Sequence, residues 1–163
     1  MLPFPSAAAA PTTLAMDETP YQGSFTGGTH SFALRVYYED TDLSGVVYHA
    51  NYLRYMERAR TDMLRCLGIE QRSLFDAGDG FYSVHDLALT FHAPARLDDA
   101  LCVVSRVGQV RAAATVLLQD VWRGTVKLTT GRVTAAWLGM DGRPQRQPRA
   151  WGATFTALMT SEN

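Results

Sequence analysis

Asp40 and Asp42 stand two positions apart in a run of turn-forming residues, Asp40-Thr41-Asp42-Leu43-Ser44-Gly45, and His49 follows just before an amphipathic segment. A carboxylate in a loop can attack a carbonyl carbon or activate water toward it. The start of a helix exposes backbone N–H groups without intrahelical partners and a partial positive charge, which suits it to hold a developing oxyanion. Together they meet the needs of ester or thioester hydrolysis. A thioester asks least, because its thiolate leaves without a strong general acid; cysteine, with a pKa of about 8.5, gauges that leaving group. The same residues admit a plainer reading, in which the aspartates accept turn N–H groups and His49 is a cap or surface residue.

Other chemistries find no footing. There is no G-x-S-x-G elbow, no glycine-rich phosphate loop and no H-E-x-x-H. His30, His49, His85 and His92 do not fall at metal-ligand spacings with Cys or acidic partners, so no metal is expected. Cys66 and Cys102 form no C-x-x-C pair and read as small residues of a reducing compartment, which points to the cytoplasm. A net charge of −1 with both signs interspersed argues against a nucleic-acid partner, and no apolar run reaches bilayer-spanning length.

Positioning these residues falls to one helix among many strands. Phe32, Leu34, Val36 and Tyr38 alternate with Ala33, Arg35, Tyr37 and Glu39, the period of a half-buried strand. From Asn51 to Leu67 the residues Tyr52, Tyr55, Met56, Ala59, Met63 and Leu67 fall on one stripe of period 3.6. Arg58, Asp62 and Arg65 are read as ion-pairing along its exposed side, and Gly68 is a good stop. Four further strands follow, around Leu87–Phe91, then Leu101–Val107, Ala113–Trp122 and Thr125–Trp137. In the last, the apolar phase slips near Gly131, where a glycine bulge is expected. Strands joined by such short turns pair antiparallel, and the helix must bury its stripe on them. The predicted class is α+β, a helix packed on an antiparallel sheet.

The 163 residues fit one domain with tails. Residues 1–29, rich in Ala, Pro, Thr and Gly and without Lys or Arg, read as a disordered tail rather than a secretory signal. The internal Met16 is an alternative translation start. Residues 30–150 form the predicted domain and 151–163 a C-terminal tail.

The segment 35–65 resembles the signature of the 4-hydroxybenzoyl-CoA thioesterase-like proteins, above all their YbgC-type acyl-CoA thioesterase branch. The similarity rests on Asp40-Thr41-Asp42, on Gly45 through Tyr52 (GVVYHANY), on Glu57-Arg58-Ala59-Arg60, on Pro94 through Asp99 (PARLDD) and on Arg143-Pro144 to Pro148. The resemblance implies a hot-dog fold, a sheet wrapped around one long central helix, in homodimers or homotetramers with the active site between subunits. It puts the catalytic aspartate on Asp42, not Asp40, as nucleophile or general base, and the amide that polarises the thioester carbonyl on His49. Tyr48, Ala50, Asn51 and Tyr52 would line or support the substrate pocket, while Glu57, Arg58 and Arg60 would form ion pairs. The substrate would be an acyl-CoA, or an acyl group on acyl carrier protein, with no cofactor beyond the CoA the substrate carries.

Two rivals stand beside this expectation. A hot-dog hydratase would carry Asn-Pro before its His, whereas Val47 and Tyr48 precede His49. A non-catalytic acyl-CoA or acyl-carrier-protein binding module would keep the fold without using Asp42.

Overall fold

The computed structural model describes residues 20–160; residues 1–19 of the predicted N-terminal tail, Met16 included, lie outside them, as do 161–163. Six strands form one antiparallel sheet: β1 (Ser24–Thr26), β2 (Thr29–Arg35), β3 (Phe81–Phe91), β4 (Ala100–Val110), β5 (Ala114–Arg123) and β6 (Val126–Leu138). Their spatial order is β1-β2-β4-β5-β6-β3. Between β2 and β3 the chain runs through α1 (His49–Cys66) and a short α2 (Gln71–Asp76), so β3 reaches the far edge, beside β6. This is the α+β arrangement, a helix packed on an antiparallel sheet, that the strand and helix periods predict, and the hot-dog fold that the resemblance implies.

Helix α1 buries the expected stripe. Tyr52, Tyr55, Met56, Ala59 and Met63 are all at most 2 % exposed; the first four pack with Val36, Val103, Val121 and Leu128, and Met63 packs with Val107 and Leu117. Gly68, at φ +74°, takes the left-handed conformation that ends the helix.

Several expectations need correction. The first predicted strand ends at Arg35; Tyr38–Asp40 form a 3-10 turn because the Asp40 carboxylate accepts the Tyr37 N–H at 2.8 Å. Part of the predicted N-terminal tail, Ser24–Thr26, is paired as β1, and most of the predicted C-terminal tail belongs to α3 (Arg149–Thr160). Trp151, Phe155 and Leu158 give α3 an apolar side that packs with Met63, Val107 and Leu117. The register slip in β6 lies not at Gly131 but near Leu128, where Val121 pairs Thr129 and Trp122 pairs Lys127. Gly131 serves a close approach instead, since a Cβ there would fall 2.9 Å from the Met56 methyl. Asp62, expected on the exposed side of α1, is 2 % exposed and bonds His30 of β2, although it keeps Arg65 at 3.8 Å.

Candidate active site

The loop that carries Asp42 is a small pinned hairpin. The Asp42 N–H donates to the Val46 carbonyl at 3.0 Å, the Gly45 N–H returns to the Asp42 carbonyl at 2.9 Å, and Thr41 bridges Val47. Gly45, at φ +76°, occupies a conformation that disfavours a side chain. The hairpin is tied to the sheet through the Val47 N–H, which donates to the Ala95 carbonyl at 2.9 Å. It is tied to α1 twice over the Asp40 carbonyl, which accepts from the Tyr48 N–H at 2.9 Å and the Asn51 side-chain amide at 2.8 Å. The loop and the helix start therefore move as one body.

The two aspartates have different fates. Asp40 is buried and its carboxylate is engaged by the Tyr37 N–H. Asp42 is exposed; its Oδ1 accepts from the Ser44 N–H at 2.8 Å and from the Ser44 hydroxyl, while Oδ2 has no hydrogen bond among the described residues. These Ser44 bonds, the hydroxyl first, hold the Asp42 carboxyl below the usual carboxylate range, with a smaller favourable contribution from His49. It is an anion with one oxygen free.

The helix start is equally open. Ser, Thr, Asp or Asn at the cap would spend its side chain on one of the first N–H groups. Here the cap is Tyr48, whose side chain makes no such bond, and no acid stands in the first turn. Among the described residues the His49 and Ala50 N–H groups have no hydrogen-bond partner. His49, the first residue of α1, also contributes the small charge effect felt at Asp42.

The predicted pocket residues divide by role. His49 and Tyr52 line an open cleft with Val47, Phe91, His92 and Pro94. Tyr48 is exposed and packs against the His49 ring in a tilted contact, centroids 4.3 Å apart. Ala50 is half-buried beside it. Asn51 is spent on the Asp40 carbonyl, and the Tyr52 hydroxyl accepts the buried Ala95 N–H at 2.9 Å, so both brace the junction. Phe91 and His92 join the cleft from the end of β3; only their place at a strand end, just before Pro94, could have signalled this. Asp99 closes the turn before β4: its carboxylate accepts the Arg96 N–H and pairs with Arg123, each at 2.8 Å. Arg60, expected in an ion pair, reaches across to the Gln119 amide oxygen at 2.7 Å.

The expectation of no metal-ligating group needs revision. His30, Asp62 and Cys66 bring their ligand atoms within 4.8 Å of one another. Sequence spacing hid this because His30 arrives from β2 while Asp62 and Cys66 are a turn apart on α1.

An antiparallel sheet packed on one long helix is the architecture of the hot-dog class. Comparison with known proteins agrees. Residues 44–130 match the model of the thioesterase superfamily. The chain is 40% identical over 129 residues to the acyl-CoA thioesterase YbgC of Haemophilus influenzae, covering 78% of this chain and 95% of that protein. A probable thioesterase from Bartonella henselae superposes with TM-score 0.71 at 36% identity, over 74% of this chain and 99% of that one. A Staphylococcus aureus protein solved in complex with CoA shares the fold, with TM-score 0.78 at 11% identity, over 86% of this chain and 89% of its own. The chain belongs to the thioesterase superfamily.

Proposed function

We propose that the protein hydrolyses an acyl-CoA thioester to the free acid and CoA, with Asp42 as the reacting carboxylate and the His49 amide as the oxyanion donor. The observation that carries this reading is the pairing of an exposed, anionic Asp42 with a helix start whose first amides are unspent. The YbgC relative supports the substrate class.

Two routes use the same groups. In one, an Asp42 oxygen attacks the thioester carbon, the C–S bond breaks, CoA leaves as thiolate, and water hydrolyses the resulting mixed anhydride. In the other, Asp42 takes a proton from water, which attacks the same carbon directly. In both, the carbonyl oxygen gains charge that the amides at the start of α1 receive. No cofactor beyond the CoA of the substrate enters either route, and the His49 imidazole packs against Tyr48 rather than transferring protons.

The reading extends to assembly and setting. β3 is an edge strand of 11 residues with Val84, Leu87 and Phe91 exposed, a surface suited to pairing with a second copy of the chain. Two free cysteines support a reducing, cytoplasmic setting. No helix of the described residues is long and apolar enough to cross a membrane.

A panel of short, aromatic and long acyl-CoAs, and one acyl-carrier-protein thioester, assayed with wild type and Asp42→Asn, tests the proposal. We expect kcat to fall by about 10²–10⁴-fold in the variant, the range of a lost acid–base or nucleophilic group. Undiminished hydrolysis would remove Asp42 from the chemistry. Saturable acyl-CoA binding without turnover by wild type would favour the binding module.

A further inference from the structure

We infer that His30, Asp62 and Cys66 form a binding site for one Zn²⁺ ion, which fastens the start of the sheet to the C-terminal half of α1. The three donors are an imidazole, a carboxylate and a thiol, the mixed N, O and S set that zinc accepts. His30 Nε2 lies 2.9 Å from Asp62 Oδ2, and Cys66 Sγ lies 3.7 Å from that oxygen and 4.0 Å from that nitrogen. Around a tetrahedral ion with bonds of about 2.0–2.3 Å, donors sit roughly 3.3–3.7 Å apart. The two sulfur edges are close to that spacing as they stand, and the His30–Asp62 edge needs only to open slightly.

The arrangement is not that of a nucleophilic triad. Such a triad puts the carboxylate on one imidazole nitrogen and the nucleophile on the other. Here Asp62 and Cys66 both approach Nε2, and His30 Nδ1 has no hydrogen-bond partner among the described residues. All three donor atoms lie within 4.8 Å of one another.

Charge and shape support a cation there. Asp62 is 2 % exposed and its Oδ1 is buried with no hydrogen bond among the described residues. Asp62 Oδ2 accepts the Gly23 N–H at 2.8 Å besides bonding His30, while Arg65 stands 3.8 Å from Oδ1 with its side chain 60% exposed, so the buried carboxylate is only partly compensated among the described residues. Gly23 closes the cradle: a Cβ there would fall 2.7 Å from both Asp62 Oδ2 and His30 Nε2, so only bare backbone fits. The Gly23 carbonyl, 3.7 Å from Cys66 Sγ, supplies an oxygen for a fourth position, while Gln22 Nε2 donates to Cys66 Sγ at 3.4 Å. Cys66 is half-buried, which gives an ion a way in, and binding exchanges its thiol proton for the metal. The site lies roughly 20–25 Å along α1 from His49, so its role is to hold β1 and β2 against the helix rather than to take part in hydrolysis.

The full chain, stripped with a chelator and then titrated with Zn²⁺ and separately with Co²⁺, tests this. We expect one ion per chain, a near-ultraviolet thiolate-to-cobalt charge-transfer band, and a thermal midpoint that rises with Zn²⁺. Cys66→Ser should abolish the band, cancel the thermal shift and weaken Zn²⁺ by about tenfold or more, while acyl-CoA turnover stays unchanged. Asp62→Asn serves as the second variant, and the wild-type cobalt spectrum decides without any variant. A cobalt spectrum lacking the band, no saturable Zn²⁺ binding, or equal affinity in wild type and Cys66→Ser would overturn the site.

Discussion

Asp42 and Asp40 show how two identical side chains, two positions apart, take opposite tasks. Asp40 turns inward, where its carboxylate organises the 3-10 turn and its carbonyl collects Tyr48 and Asn51. Asp42 turns outward and keeps Oδ2 free, while Ser44 holds the other oxygen. The Ser44 bonds stabilise the charged form, so the carboxylate persists to lower pH than an ordinary aspartate. For a reaction that needs the anion, activity is lost as pH falls through that depressed value. In Ser44→Ala we expect the acid limb of the kcat/KM profile to move to higher pH, toward the ordinary aspartate range, with the alkaline side unmoved. An acid limb in the same place in both proteins would show that another group sets it.

The elements are held to the site by bonds that can be cut singly. Tyr52 on α1 accepts the buried Ala95 N–H ahead of β4, so Tyr52→Phe leaves that donor unsatisfied and should cost about 1–3 kcal/mol, read as a lower denaturation midpoint at unchanged slope. An unchanged midpoint would mean that the Ala95 N–H has another acceptor. Gly80, at the entry to β3, adopts φ +135°, and a Cβ there would meet the Leu138 carbonyl oxygen at 2.3 Å. Because the contact is with backbone, no side chain can swing aside. Gly80→Ala should destabilise by about 1–3 kcal/mol or more. By contrast, the tightest contact at Gly131 is the tip of the flexible Met56 side chain, and Gly131→Ala should cost less than Gly80→Ala in the same unfolding measurement.

In the whole molecule, the exposed edge is the feature on which the proposed pairing with a second copy rests. β1 at one end of the sheet is only 3 residues long, whereas β3 at the other runs for 11 with apolar side chains in solvent. Long unpaired edges are otherwise blunted or covered. Leu87→Lys places a charge in the middle of that edge and should shift the sedimentation coefficient of the assembly to that of a single chain, with a loss of turnover if the site is completed by the neighbour. A wild type that already sediments as a single chain would refute pairing through β3.

Local periodicity was enough for the long helix and its buried stripe, because a 3.6-residue repeat of large apolar side chains has one way to leave water. The motif around Asp42 and His49 was legible for a similar reason, since turn chemistry followed directly by a helix start is a contiguous feature of the chain. What distance along the chain conceals, only the folded state could decide: that Asp40 is spent while Asp42 is free, that Asn51 is a brace, that Leu128 and not Gly131 takes the slip. The pairing of His30 with Asp62 across 32 residues is of the same kind. Each depends on which backbone groups already have partners, and that is settled when strands and helix meet, not by the residues beside them in sequence.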